Sequence, residues 1–280
     1  MKYFVINKFI EDKVCKRIID NFDNSDLAKN YLIHGSRKVY TSSSLEFNEL
    51  ISNSSDFKNL TEKLNSNEFF ETCLEKLSIN KNNFIIKNFF KIKNPSKFHK
   101  FYKRLNNLKL NFLPARSLAK YLIFRCYRYC CRKIKFSSIF YPKKKPVELL
   151  YDFSIASNGY SKDIHRDSDN RLVVFLLYLN DLPINNNANG GDLEIYKLAH
   201  GSKNSTQPSK ETCEKIESIK PEAGKLIVFL NNNESFHAVS EMQNFKDCRY
   251  FFYGGFTLLN HKNPYITNKT KSPTDFDVYE

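Results

Sequence analysis

No uncharged apolar run in these 280 residues is long enough to suggest a helix spanning a bilayer. The opening residues, MKYFVINKFIEDKVCKRI, place Lys8, Glu11, Asp12 and Lys13 where a secretion signal needs continuous apolar character, so no secretion is expected. The seven cysteines are odd in number and contain no CxxC pair, which argues against a disulfide framework and against a zinc knuckle. Reduced thiols and a cytoplasmic setting are expected, with peripheral membrane attachment as the alternative. Acidic residues are missing from Lys91 to Pro146, a stretch holding 17 Lys and Arg. That leaves 27 of the 44 basic residues to face all 30 acidic ones, so the net charge of +14 belongs to one segment rather than to the whole surface. No internal repeat is evident. The hydrophobic share of 41% is ordinary for a folded chain, and the length allows one large domain or two small ones.

What is present changes character along the chain. KYFVI reads as a short strand, followed by a helix with Glu11 and Asp12 in its first turn and Val14, Ile18 and Phe22 on one face. Leu60, Leu64, Phe69, Phe70, Leu74 and Leu77 recur at helical spacing across DFKNLTEKLNSNEFFETCLEKLSI. From Val147 onward, apolar runs alternate with turn clusters. VELLYDFSIA, RLVVFLLYLN, GDLEIYKL, KLIVFLN, FHAVSEM and CRYFFYGGFTLL are six strand candidates without intervening amphipathic helices, which predicts an antiparallel sandwich or jelly roll. The expected organisation is an N-terminal strand and helical flank over 1–90, a basic helical insertion over 91–146, the β-domain over 147–260 and a polar tail over 261–280.

His165 and Asp167 stand two apart at the entrance to the most apolar strand, so at strand geometry both point to one side. His237, in the strand candidate after KLIVFLN, is placed to join them from a neighbouring strand. Two imidazoles and one carboxylate on one face of a metal leave the other face open, which suits Fe(II) that must bind a co-substrate and oxygen. A lone H-x-D is weak by itself, since His and Asp are common loop residues. Asp163, Asp169 and Asn170 read as turn-formers, and Gly190 and Gly191 as a tight turn.

In order and surroundings, the segment from Val147 to Leu258 resembles the catalytic double-stranded β-helix of the Fe(II)/2-oxoglutarate-dependent dioxygenases, most of all their prolyl 4-hydroxylase-like branch. His165, Asp167, His237 and Arg249 match the H-x-D…H…R/K pattern, with Arg171 to Asn180, GGDLEIY and PEAGKLIVF in the corresponding places. The resemblance implies an α+β protein with a jelly-roll, cupin-like core. It also implies Fe(II) on His165, Asp167 and His237, and 2-oxoglutarate paired with Arg249. Tyr178 would donate to the same carboxylate; the alternative is a core tyrosine with another polar partner. The implied reaction hydroxylates an unactivated C–H bond and releases succinate and carbon dioxide, with ascorbate as an accessory. A protein prolyl residue, an amino acid, a small metabolite and a glycan all stay open as substrate, because the fold does not choose among them. Oligomeric state is equally open.

Two other function classes stand beside this one: a non-catalytic β-helix binding module, and a nucleic-acid demethylase using the basic segment. On RSLAKYLIFRCYRYCCRKIK, helical spacing puts Lys120, Arg125, Arg128, Arg132 and Lys135 largely opposite Leu118, Leu122, Cys126 and Tyr129. Such a helix is a solvated cover, a surface for an acidic substrate or nucleic acid, or an interfacial membrane helix.

Overall fold

Val, Leu, Ile and Phe crowd β6 (Arg171–Tyr178) and β9 (Leu226–Leu230), which reads as strands covered on both faces. Both lie inside a seven-stranded sheet in the order β1-β9-β6-β11-β4-β2. Its other members are β1 (Tyr3–Ile6), β2 (Arg37–Thr41), β4 (Lys145–Ala156) and β11 (Arg249–Leu258), and β3 (Phe84–Ile86) pairs with β4. All ladders are antiparallel except β3 with β4. A second, four-stranded sheet runs β5-β10-β7-β8, from β5 (Lys162–His165), β10 (Phe236–Val239), β7 (Leu193–Leu198) and β8 (Cys213–Ile219). The two sheets form the jelly-roll core. This computed structural model describes residues 1–29, 33–86, 144–182, 188–199, 205–259 and 261–267. The chain divides into one unit of 1–87 with 145–280 and a second of 88–144; residues 88–143 lie outside the described residues, and with them the helical reading of the basic segment.

Strand alternation splits the large sheet into two chemically distinct faces. Odd positions of β4 from Val147 to Ile155, with Phe252 and Phe256 of β11, face a helical layer of α1 (Asp12–Asp23), α2 (Leu45–Asn53), α3 (Ser55–Leu64) and α4 (Asn67–Lys76). The same local pattern starts three of these helices. Ser44, Ser54 and Ser66 each accept a hydrogen bond from the backbone N–H of the Phe three positions on, which satisfies an otherwise orphaned donor. Those residues, Phe47, Phe57 and Phe69, are then buried against the sheet, Phe57 5.5 Å from Phe153 and Phe69 5.7 Å from Phe175 between ring centroids. Ser54→Ala is therefore expected to cost about 1 kcal/mol in urea unfolding, with unchanged slope.

Several departures from the sequence reading have local causes. The helix expected across 56–79 breaks at Asn65 and Ser66, where Ser66 caps α4. β4 starts at Lys145, two residues inside the segment assigned to the insertion, because Lys145 and Pro146 pair with β3. β2, β3 and β8 were not foreseen as strands. β8 exposes most of its residues and has no apolar stripe; its ladder with β7 alone makes it a strand.

Candidate metal centre and active site

The inner face of the large sheet carries the polar chemistry, and the small sheet supplies its counterpart. His165 ends β5 and His237 lies in β10, directly opposite one another in the antiparallel register. Their ring centroids are 4.3 Å apart. Asp167 follows His165 by two residues, and one ligand atom from each of the three lies within 4.8 Å of the others. His237 Nε2 is 3.6 Å from Asp167 Oδ2.

Both rings are fixed through their other nitrogen. His165 Nδ1 bonds the Asp163 carbonyl at 2.8 Å and His237 Nδ1 bonds the Ser235 carbonyl at 3.1 Å. An N–H on Nδ1 leaves Nε2 as the lone-pair donor of a neutral imidazole, the form that binds metal. Burial, and then the neighbouring His237, push the His165 pKa down to about 4, so at neutral pH no proton needs displacing from this ring. Asp163 thus sits in a strand and serves the site through its carbonyl, rather than forming a turn.

Asp167 is nearly buried, and burial opposes its charge; Arg171, then the two imidazoles and Tyr253, outweigh this and hold its carboxyl below the usual range. Its Oδ1 accepts from the Tyr253 hydroxyl and lies 3.4 Å from Arg171 Nη1, whereas Oδ2 is buried with no hydrogen-bond partner. A buried carboxylate oxygen without a partner, flanked by two Nε2 lone pairs, is the donor set of a divalent-cation site. The turn that carries Asp167 is clamped from two directions. Asn231 Nδ2 donates to the carbonyls of Ser168 and Arg171 at 2.9 Å each, and Asn263 Nδ2 donates to the Arg171 carbonyl at 2.7 Å. Asp169 pairs with Arg166 at 3.2 Å. Asn263, in the stretch read as an irregular tail, is therefore part of the scaffold of the site.

Arg249 opens β11 opposite Ala156 and has no exposed surface. Its Nη1 donates to the Gly191 carbonyl at 2.6 Å, while Nε is buried without a partner. Its guanidinium carbon lies 4.6 Å from the Phe251 ring centroid, 5.5 Å from Tyr160 and 5.7 Å from Tyr178. Burial lowers its pKa, and no carboxylate among the described residues forms an ion pair with it. The Tyr178 hydroxyl is also buried without a hydrogen bond, and burial raises its pKa to about 12. An arginine and a tyrosine side by side with unfilled donors have the chemistry that could hold a carboxylate. Gly190 and Gly191, with φ of 86° and 76°, make the turn that presents the Gly191 carbonyl to Arg249; a Cβ on Gly190 would lie 1.8 Å from the Glu241 carbonyl oxygen.

Residues 151–256 match the family model described as "2OG-Fe(II) oxygenase superfamily". These residues form a 2OG-Fe(II) oxygenase domain. No curated protein sequence matches the chain. Among solved structures, the chain is similar to a Pseudomonas putida prolyl-4-hydroxylase, at 13% identity and a TM-score of 0.47 over 91% of this chain and 92% of that one. A Trichoplax adhaerens prolyl hydroxylase, solved with a hypoxia inducible factor oxygen degradation domain peptide fragment, is similar at 13% identity and a TM-score of 0.39, over 91% and 83%. The carbocyclase SnoK from nogalamycin biosynthesis is similar at 8% identity and a TM-score of 0.47, over 91% and 80%.

Sequence reading missed Tyr253, Asn231 and Asn263. Tyr253 had a usable signal: it lies four residues beyond Arg249 in one strand, hence on the same face. The anionic-partner, nucleic-acid and membrane readings of 91–146 fall outside the described residues, save for 144–146. No helix among the described residues is long and apolar enough to cross a membrane.

Proposed function

We propose that the chain is an Fe(II)- and 2-oxoglutarate-dependent dioxygenase that hydroxylates an unactivated C–H bond. The observation that carries this reading is the presence of two unfilled sites in the same β-core: the unpartnered Asp167 Oδ2 beside two oriented imidazoles, and the buried Arg249 and Tyr178 donors without an anion. His165, Asp167 and His237 would hold Fe(II), and Arg249 with Tyr178 the distal carboxylate of 2-oxoglutarate. When bound, Fe(II) would activate dioxygen, the oxidant, so that one oxygen atom ends in succinate as 2-oxoglutarate loses carbon dioxide and the other in the hydroxylated C–H bond. The chain's own groups do the rest. The carbonyls of Asp163 and Ser235 hold the Nδ1 side of both imidazoles and so aim their Nε2 atoms, and the Phe229 ring, 4.8 Å from that of His237, shields the site from water.

The test is succinate formation from 2-oxoglutarate under air with Fe(II) and ascorbate, comparing wild type with Asp167→Ala. Iron-dependent succinate from wild type alone is the expected result; absence of both succinate and anaerobic Fe(II) and 2-oxoglutarate binding in wild type would overturn the reading and leave a β-helix scaffold. Tyr178→Phe keeps the ring and removes one donor to a charged group, so the 2-oxoglutarate dissociation constant should rise about 10-fold in an anaerobic titration. The primary substrate is part of the proposal only as a class, an organic molecule or residue presenting a C–H bond at the mouth of the barrel. A prolyl residue is one candidate.

A further inference from the structure

Tyr253 stands on the same face of β11 as Arg249, four residues on, and reaches Asp167 instead of the co-substrate pocket. Its hydroxyl donates to Asp167 Oδ1 and accepts from Arg171 Nη1 at 2.6 Å. Two guanidinium groups lie against its ring, with Arg37 Cζ 5.2 Å and Arg171 Cζ 5.0 Å from the centroid. Arg37 is itself held by Asp152 at 2.7 Å and by Ser154 at 2.8 Å, so one flank of the ring is anchored to β4. A phenol held this firmly can point its proton in one direction, toward Oδ1.

We infer that Tyr253 is a positioning residue for the metal centre, occupying Asp167 Oδ1 so that only Oδ2 is presented to the ion. The inference rests on the Fe(II) reading above. A carboxylate free at both oxygens can rotate and chelate through both, filling a position that the co-substrate or oxygen needs; the Tyr253 hydrogen bond removes that choice. One strand then governs both halves of the site, Arg249 through the 2-oxoglutarate carboxylate and Tyr253 through the metal carboxylate. Partners that orient a metal ligand are typically worth 10- to 100-fold in metal affinity.

The experiment is anaerobic calorimetric titration of the full chain with Mn(II) or Fe(II), for wild type and Tyr253→Phe, followed by 2-oxoglutarate titration at saturating metal. Tyr253→Phe is expected to raise the metal dissociation constant about 10-fold while changing 2-oxoglutarate affinity at saturating metal by less than about 2-fold. An unchanged metal dissociation constant would overturn the inference. A collapse of the thermal midpoint of the metal-free variant would also overturn it, by assigning Tyr253 a structural role. Wild type that binds no metal would instead overturn the Fe(II) reading.

Discussion

Arg249→Met is expected to abolish high-affinity 2-oxoglutarate binding, raising its dissociation constant by about 100-fold or more, without lowering the thermal midpoint of the ligand-free protein. The two effects separate because Arg249 is a buried cation with one carbonyl partner and no carboxylate. In the absence of an anion, such a charge costs desolvation energy that its aromatic neighbours offset only in part. Methionine fills similar volume without that cost. With 2-oxoglutarate bound, the balance reverses: a guanidinium fork meets a carboxylate in a dry site, where losing one partner is worth about 2–5 kcal/mol. Metal affinity in this variant should stay within a few-fold of wild type, because Arg249 touches none of His165, Asp167 or His237. Calorimetry for 2-oxoglutarate and Mn(II), with a thermal melt of the ligand-free protein, checks all three statements. Equal 2-oxoglutarate affinity in wild type and Arg249→Met would refute the assignment of that residue.

Asp167→Ala should have the larger effect on the metal. It removes the only carboxylate of the triad and the anion toward which Tyr253 and Arg171 are directed. Two imidazoles remain, and loss of metal affinity by about 100-fold or more is expected, with no succinate formed. A divalent ion at 100 times its dissociation constant stabilises the folded state by about 2.7 kcal/mol. The rise in thermal midpoint that Mn(II) produces in wild type should therefore be missing from Asp167→Ala at the same concentration. An equal rise in both proteins would show that the stabilising ion sits elsewhere.

Much of this was legible without coordinates. The alternation in KLIVFLN and CRYFFYGGFTLL marked strands, and the order of His165, Asp167, His237 and Arg249 marked the chemistry, because strand period and metal-ligand type are properties of short stretches of chain. β8 was hidden for the opposite reason. Its residues face solvent, so composition carries no stripe, and only the neighbouring β7 makes it a strand. The helix break at Ser66 depended on one serine side chain turning back to the Phe69 N–H, which the apolar periodicity passes over.

By itself, then, the sequence determined which side chains could form a metal and carboxylate site and which strands would carry them. Only the tertiary structure decided that His165 and His237 fall directly opposite one another, and that Asn231 and Asn263 clamp the turn behind Asp167. It also decided that Tyr253 meets Asp167 from 86 residues away. The physical reason is that strand alternation states which face a residue occupies, whereas register and sheet order state which residue it meets. Those are set by pairing energies summed along whole ladders and by packing against the helical layer.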